Sequence, residues 1–336
     1  MAARGLRDLT SLADAARIPP VLSASFKRSA DLYLKLLRRP AREIDVFTVS
    51  SSTSGDPSVI GRTRADVAAY ASAFRRSFET CHGSAPFDRV LALWPDPETM
   101  LSADNGRLAD RPTVPFAANV FKVAGPPREP SRLAILLRLR PDAPAEIDID
   151  GLAAGLDAAQ EKGERLLLGG PPIVVHLALG RLAETFRRRW SLGRDGYVLV
   201  GAGGWDGRKG TMDLGRGIPR PDFVATVAEL LGVPPGNISD HYGFSESGLS
   251  FPGTFDGDDF AYAVPPEAHV ILRDPVTLEP FEYAGREGLV EVVSPYVNSS
   301  HAATALLVDD LASFVAGSGN RRLRIHGRAP SGPDAV

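Results

Sequence analysis

The chain has 336 residues, 43% of them hydrophobic and 24% charged, with a net charge of −3. That length exceeds one typical domain and that composition supplies a sizeable apolar core, so one large domain with a smaller lobe is expected. The near balance of charge, with basic residues dispersed apart from Arg187-Arg188-Arg189, gives neither a nucleic-acid groove nor a polybasic membrane patch. The single cysteine, Cys81, excludes an intramolecular disulfide or a cysteine-cluster metal site and fits a reducing compartment. Met1 to Arg7 lacks the apolar core of a signal peptide, and no apolar run approaches the ~20 residues of a spanning helix. A cytoplasmic protein is expected.

Residues 6 to 40 read as helical in two pieces broken at Pro19-Pro20, with Phe26, Leu32, Leu34, Leu36 and Leu37 as an apolar face and Pro40 as the stop. The β-branched alternation from Ile44 to Val49 then reads as a strand. It runs into Ser50-Ser51-Ser52-Thr53-Ser54-Gly55-Asp56-Pro57-Ser58, and Val67, Tyr70, Phe74 and Phe78 space a helix from Arg62 to Cys81. Arg89 to Pro95 is a buried-type strand, residues 95 to 132 read as irregular, and Arg132 to Leu139 as a further strand.

From Ile149 strands and helices alternate. Helices are expected over Asp150–Lys162, Ile173–Trp190 and Pro221–Leu231, and strands over Arg165–Leu168, Tyr197–Val200 and Ile238–Tyr242. Such alternation implies a mostly parallel sheet covered by helices on both faces. From Ala261 the pattern turns to β, with strands at His269–Arg273, Gly288–Val293, Ala305–Val308 and Arg322–His326. The expected organisation is an α/β body over residues 1–260 and a β-rich C-terminal portion of the same large domain over residues 261–336.

Ligands of open α/β sheets sit at the carboxyl ends of strands, and three loops there carry chemistry. The first is the hydroxyl loop, which suits phosphate oxygens or, blandly, caps the next helix. It lacks the Gly-Lys-Ser/Thr ending of a Walker A loop. The second, Gly201-Ala202-Gly203-Gly204-Trp205, allows close approach of a ligand, or is a flexible turn beside a core tryptophan. The third, Asp240-His241-Tyr242-Gly243-Phe244-Ser245-Glu246-Ser247-Gly248, gathers carboxylates, hydroxyls and aromatic rings, or begins a helix with Ser245 as N-cap.

These loops, followed in order by Leu306 to Leu311 and by Ile325-His326-Gly327-Arg328, resemble the large domain of adenylate-forming acyl-activating enzymes. Within that superfamily the chain is most similar to the acyl-protein synthetases of bacterial bioluminescence fatty-acid reductase complexes, with phenylacetate–coenzyme A ligases more distant, over about Val46 to Arg328. The resemblance implies ATP and Mg²⁺ as cofactors and a carboxylic, fatty-acid substrate activated as its acyl-adenylate. It places Ser50, Ser51, Ser52, Thr53, Ser54 and Gly55 at the β- and γ-phosphates, and Gly203, Gly204 and Trp205 along the adenine pocket. Tyr242, beside Gly243, would stack on adenine, Ser245 would reach the α-phosphate and Glu246 would bind Mg²⁺. Asp310 would accept from the ribose hydroxyls and Arg328 would contact ribose or phosphate; His176 falls where the acyl pocket is built, or is an ordinary helix histidine.

The chain departs from the family pattern at Ser52, where a glycine is usual, at Ser58, where a lysine is usual, and at Asp206, where the synthetases have a lysine. Their C-terminal acylated cysteine and the mobile C-terminal ligase domain have no counterpart in this sequence, and Cys81 reads as a buried structural thiol. Either the chain is a piece of a longer protein, or the acyl group is expected to go to a free thiol or to one on a reductase or carrier protein. A non-catalytic nucleotide-binding or partner-binding subunit, or an aryl-acid adenylating enzyme, are the alternatives.

Overall fold

A computed structural model describes residues 12–50, 56–83, 85–102, 105–124, 132–140, 143–209, 212–213, 215–294, 299–319 and 321–329. Its frame is a single large mixed sheet. Leu133–Arg140, Arg89–Pro95, Leu166–Gly170, Gly196–Gly201 and Ile238–Gly243 lie side by side in that order, all parallel. Beyond Ile238–Gly243 the pairing turns antiparallel, through Ser250–Phe255, Phe260–Ala263, Arg322–Arg328, Ala305–Phe314, Gly288–Val293 and His269–Arg273. The α/β body and the β-rich portion thus share one hydrogen-bonded sheet.

Both faces of the parallel half are covered, as continuous apolar strands require. Along Arg89–Pro95, Leu91 and Leu93 join the main core, and Leu91 packs so closely on Gly155 of the helix Ile149–Lys162 that a β-carbon there would lie 2.6 Å from it. Val90 and Ala92 point the other way, into a second cluster with Phe87 and with Phe78 of the helix Arg64–His82. That helix begins two residues later than its apolar spacing alone suggests: Thr63 and Asp66 form a reciprocal capping box, fixing the start at Arg64.

Three expectations are corrected. The hydroxyl loop does not lead into a helix. Val46–Val49 and Val59–Arg62 pair antiparallel, in a separate small sheet where Val46–Val49 also pairs parallel with Arg111–Pro115. The β-branched Val59-Ile60 favours the strand, and the helix starts only after it.

The N-terminal segment is not a pair of helices either. Among its described residues it has one short helix, Leu12–Ala15, 3₁₀ turns, and a strand Val21–Leu22 parallel to Ala305–Phe314. Short turns such as Leu36 N–H on the Leu32 carbonyl at 3.0 Å alternate with bonds to the segment before Ala305–Phe314, Arg38 N–H donating to the Ser300 carbonyl at 2.8 Å and Leu36 accepting from Ala302 N–H at 2.8 Å, while Phe26 is fully buried against His301. Tertiary partners have displaced helical ones.

Residues 95–132 are also more ordered than expected, with helices Pro97–Ser102 and Phe116–Ala124 as well as Arg111–Pro115. Asp96 accepts from the Thr99 amide at 3.1 Å, so Pro97 stands at a helix start, where proline is tolerated. Among the described residues no helix is long and apolar enough to cross a membrane.

Candidate active site

The site is built where the small hairpin meets the junction of the parallel and antiparallel halves of the large sheet. Ile238–Gly243 and Ser250–Phe255 are antiparallel, with Gly243 opposite Ser250, so residues 244–249 form a turn between two strands. Ser245 is therefore not the N-cap of a helix. Gly243 serves packing: a β-carbon on it would lie 2.5 Å from the Leu249 carbonyl across the turn.

The turn presents Ser245 and Glu246, both buried. Each carboxylate oxygen of Glu246 accepts from a hydroxyl: Oε2 from Ser245 at 3.3 Å, and Oε1 from Ser58 of the hairpin in a short bond. Ser58 also closes the hairpin, its N–H donating to Ser50 Oγ at 2.8 Å and its carbonyl accepting from Ser50 N–H at 3.0 Å. Behind this lies Arg62, among the largest fully buried side chains. Its guanidinium donates to the Ser245 carbonyl and, at 3.2 Å, to Thr48 Oγ1, with the rings of Tyr70 and Phe116 at 5.0 and 5.3 Å. Burial weakens its hold on the proton, while Tyr70, Asp66 and Glu246 oppose that shift.

Tyr242 is half-buried among Phe244, Phe251 and Tyr262, and its hydroxyl donates to Asp310 at 2.8 Å. Asp310 in turn lies opposite Arg328 in the pairing of Ala305–Phe314 with Arg322–Arg328. Burial pushes the Asp310 carboxyl up to about 6, with Asp309 and Glu246 adding to the shift and the Tyr242 hydroxyl and Arg328 opposing it. Sequence-distant residues 50, 58, 242, 245, 246, 310 and 328 thus converge.

The glycine turn adjoins them. Gly201 pairs with His241, and Ala202, Gly203 and Gly204 follow at φ of 61°, 70° and 106°, a left-handed run that glycine permits and that Ala202 adopts at a cost. Trp205 is pinned rather than free: its Nε1–H donates to the buried Asp240 at 2.9 Å, and its ring packs on Phe223 and Phe260. Tyr262 donates to the same oxygen at 2.6 Å, and burial holds the Asp240 carboxyl above its usual range. The tryptophan thus anchors the turn, and the glycine backbone is the part left half-buried or exposed.

Ser51, Ser52, Thr53, Ser54 and Gly55 lie outside the described residues. His176 is half-buried on the helix Pro172–Phe186, and its buried Nδ1 has no hydrogen-bond partner among the described residues. Cys81 is a poor nucleophile, its thiol pushed up to about 12 by burial. Two contributors were not legible as site residues, Arg62 and Thr48. The available signal was the run Ser58-Val59-Ile60-Gly61-Arg62, which puts polar groups on the same face of a strand at both of its ends.

Among the described residues no three metal-ligating side chains gather, so a cation here would have one carboxylate, Glu246, with hydroxyls beside it. That donor set fits Mg²⁺, which commonly takes one or two carboxylates and completes its shell with phosphate oxygens and water.

No curated protein matches the chain significantly. Among solved structures, a 2-hydroxyisobutyryl-CoA ligase in the postadenylation state in complex with 2-HIB-AMP matches with a TM-score of 0.63 at 16% identity, over 97% of this chain and 62% of that one. ATP-bound MatB from Rhodopseudomonas palustris (TM-score 0.51, 16% identity, 87% and 49% covered) and the long-chain-fatty-acid-CoA ligase FadD1 from Archaeoglobus fulgidus (0.51, 10%, 87% and 52%) share the fold. The chain spans 59–65% of the length of the 2-hydroxyisobutyryl-CoA ligase chains it matches. The fold is that of adenylate-forming ligases. The family model "Acyl-protein synthetase, LuxE" matches residues 7–329, nearly the whole chain, and the protein belongs to that family.

Proposed function

We propose that the protein activates a carboxylic acid, of the fatty-acid class, as its acyl-adenylate at the expense of ATP, and passes the acyl group to a thiol on a partner protein. The convergence of Glu246, Ser245, Tyr242, Asp310 and Arg328 on one site carries this reading, and membership of the acyl-protein synthetase family supports the thiol acceptor. A substrate carboxylate oxygen attacks the α-phosphorus, and pyrophosphate leaves from the opposite side. The thiol sulfur then attacks the acyl carbon and AMP departs. Proximity and charge neutralisation supply most of the acceleration in such a transfer.

Within this reading Asp310 receives the ribose hydroxyls and Tyr242 presents its ring to adenine while its hydroxyl holds Asp310. The Gly203-Gly204 backbone borders the base, with Trp205 fixing the turn from behind. Ser245, Arg328 and Ser50 would face the phosphates. Glu246 would hold Mg²⁺, which when bound supplies charge neutralisation at the phosphate oxygens.

The deciding test is carboxylate-dependent ATP–pyrophosphate exchange against a panel of fatty and aromatic acids. Exchange with fatty acids is expected. ATP binding without exchange under any acid would favour a non-catalytic nucleotide-binding subunit instead.

The Asp310 carboxyl gives a pH signature. Its raised folded value means the folded protein binds a proton more tightly than the unfolded chain does, so stability from this group declines as pH rises from about 4 to about 6. Ribose hydroxyls, by contrast, donate best to the ionised form. Adenosine, which carries no phosphate to titrate, should bind progressively more weakly below about pH 6. Asp310→Asn should bind it roughly 10- to 100-fold more weakly at pH 8, from a lost charged hydrogen bond, and show a flat pH profile. A wild-type profile in that variant would move the ribose site elsewhere.

A further inference from the structure

The strand Val59–Arg62 and the residue before it place Ser58 and Arg62 four positions apart, on one face, and both are fully buried. Each reaches the same short turn of the large sheet. Ser58 donates to the Glu246 carboxylate, and Arg62 donates to the carbonyl of Ser245, the residue before it. No backbone pairing joins the small sheet to the large one among the described residues. These side chains are therefore a principal polar link between the hairpin and the turn.

We propose that Ser58 and Arg62 act as a two-point clamp that sets the Glu246 carboxylate for its cation, which makes Arg62 a positioning residue of the adenylation site. The inference rests on the functional reading above. Either contact alone would leave a rotation: Ser58 fixes one carboxylate oxygen but not the backbone, and Arg62 fixes the carbonyl but not the side chain. Together they define where the carboxylate points. The guanidinium is itself held by Thr48 Oγ1 and by two ring faces, and the charges of Asp66 and Glu246 oppose the effect of its burial. Asp66 is anchored independently, accepting from Ser299 N–H and Oγ at 2.8 Å and from Ser300 Oγ. A guanidinium so enclosed has little freedom to follow the turn, so the turn follows it. The Ser58 hydroxyl also matters for what replaces it. It takes one lone pair of Glu246 Oε1 and leaves the others of the carboxylate to a cation, so donor and cation share the group without a second positive charge beside it.

The test uses the full chain and three variants, Ser58→Ala, Arg62→Lys and Arg62→Met, with thermal unfolding to establish folding. Mn²⁺ is titrated into each protein in the presence of a non-hydrolysable ATP analogue and followed by electron paramagnetic resonance. The analogue is also titrated without any metal. Ser58→Ala and Arg62→Met should each weaken Mn²⁺ binding about tenfold while metal-free analogue affinity stays within twofold. Arg62→Lys should recover part of the loss, because an ammonium keeps the charge but not the fork of donors. In pyrophosphate exchange the same variants should show a raised half-saturating Mg²⁺ concentration and a lower kcat, with the KM for the acid unchanged. Should Arg62→Met fail to fold, Ser58→Ala still decides the matter. A folded Ser58→Ala with wild-type Mn²⁺ binding, or Arg62 variants that lose stability without any change in metal dependence, would reduce the pair to a structural staple. Exchange failing in the wild type would overturn the adenylation reading alone, since the Mn²⁺ titration reads the clamp without catalysis.

Discussion

Glu246→Gln is expected to lower acid-dependent pyrophosphate exchange by about a thousandfold without shifting the melting temperature by more than a degree or two, on the order of several kcal/mol lost only in the transition state. The substitution is nearly isosteric. A glutamine carbonyl still accepts from Ser58 or Ser245, so the buried turn keeps most of its hydrogen bonding. What disappears is the carboxylate proposed to hold the cation, and with it the proposed neutralisation of charge on the transferring phosphoryl group. Binding of ATP without metal should be unchanged. A variant with wild-type exchange rates would displace the cation from this turn altogether.

The largest effect on stability is expected at Asp240, which touches no proposed substrate group. Its Oδ2 accepts from both Trp205 Nε1–H and the Tyr262 hydroxyl, deep in the core. Asp240→Ala removes the one acceptor of both bonds and leaves two buried donors unsatisfied, at about 1–3 kcal/mol each, together with a small cavity. A loss of roughly 3–5 kcal/mol in urea unfolding follows, a large part of a typical domain's stability. Asp240→Asn should cost much less, because one amide oxygen can take the place of Oδ2 and accept from both donors. Since Trp205 also anchors the Gly203-Gly204 turn, the alanine variant should bind adenosine more weakly even where it remains folded. Equal stabilities for the two variants would mean that the carboxylate's charge, not its acceptor geometry, is what the core needs.

Periodicity in the sequence carried the central sheet. The apolar runs within Arg89–Pro95 and Gly196–Gly201, alternating with helical spacing, are signals that local chemistry writes strongly, because a strand buried on both faces has to be apolar along most of its length. The order of the loops was equally legible, and with it the resemblance to adenylate-forming enzymes. The N-terminal segment was not. Its leucines are spaced well enough for a helix, yet the backbone of Leu36 and Arg38 bonds to Ser300 and Ala302, partners more than 260 residues away that no local window contains.

The same divide runs through the site. Motif order, and the family resemblance it carries, marked Glu246, Tyr242, Asp310 and Arg328. Tertiary structure decided what holds them: that the 245–246 turn joins two strands instead of opening a helix, that Trp205 points into the core towards Asp240, and that a buried arginine lies beneath the turn. Arg62 reads in sequence as the first residue of an amphipathic helix. It becomes a buried cation only because Thr63 caps that helix one position later and the hairpin folds its strand against the turn. Local propensity depends on neighbours along the chain, and is therefore written in the sequence. The partners of a buried charge come from several elements at once, and only their packing shows which they are.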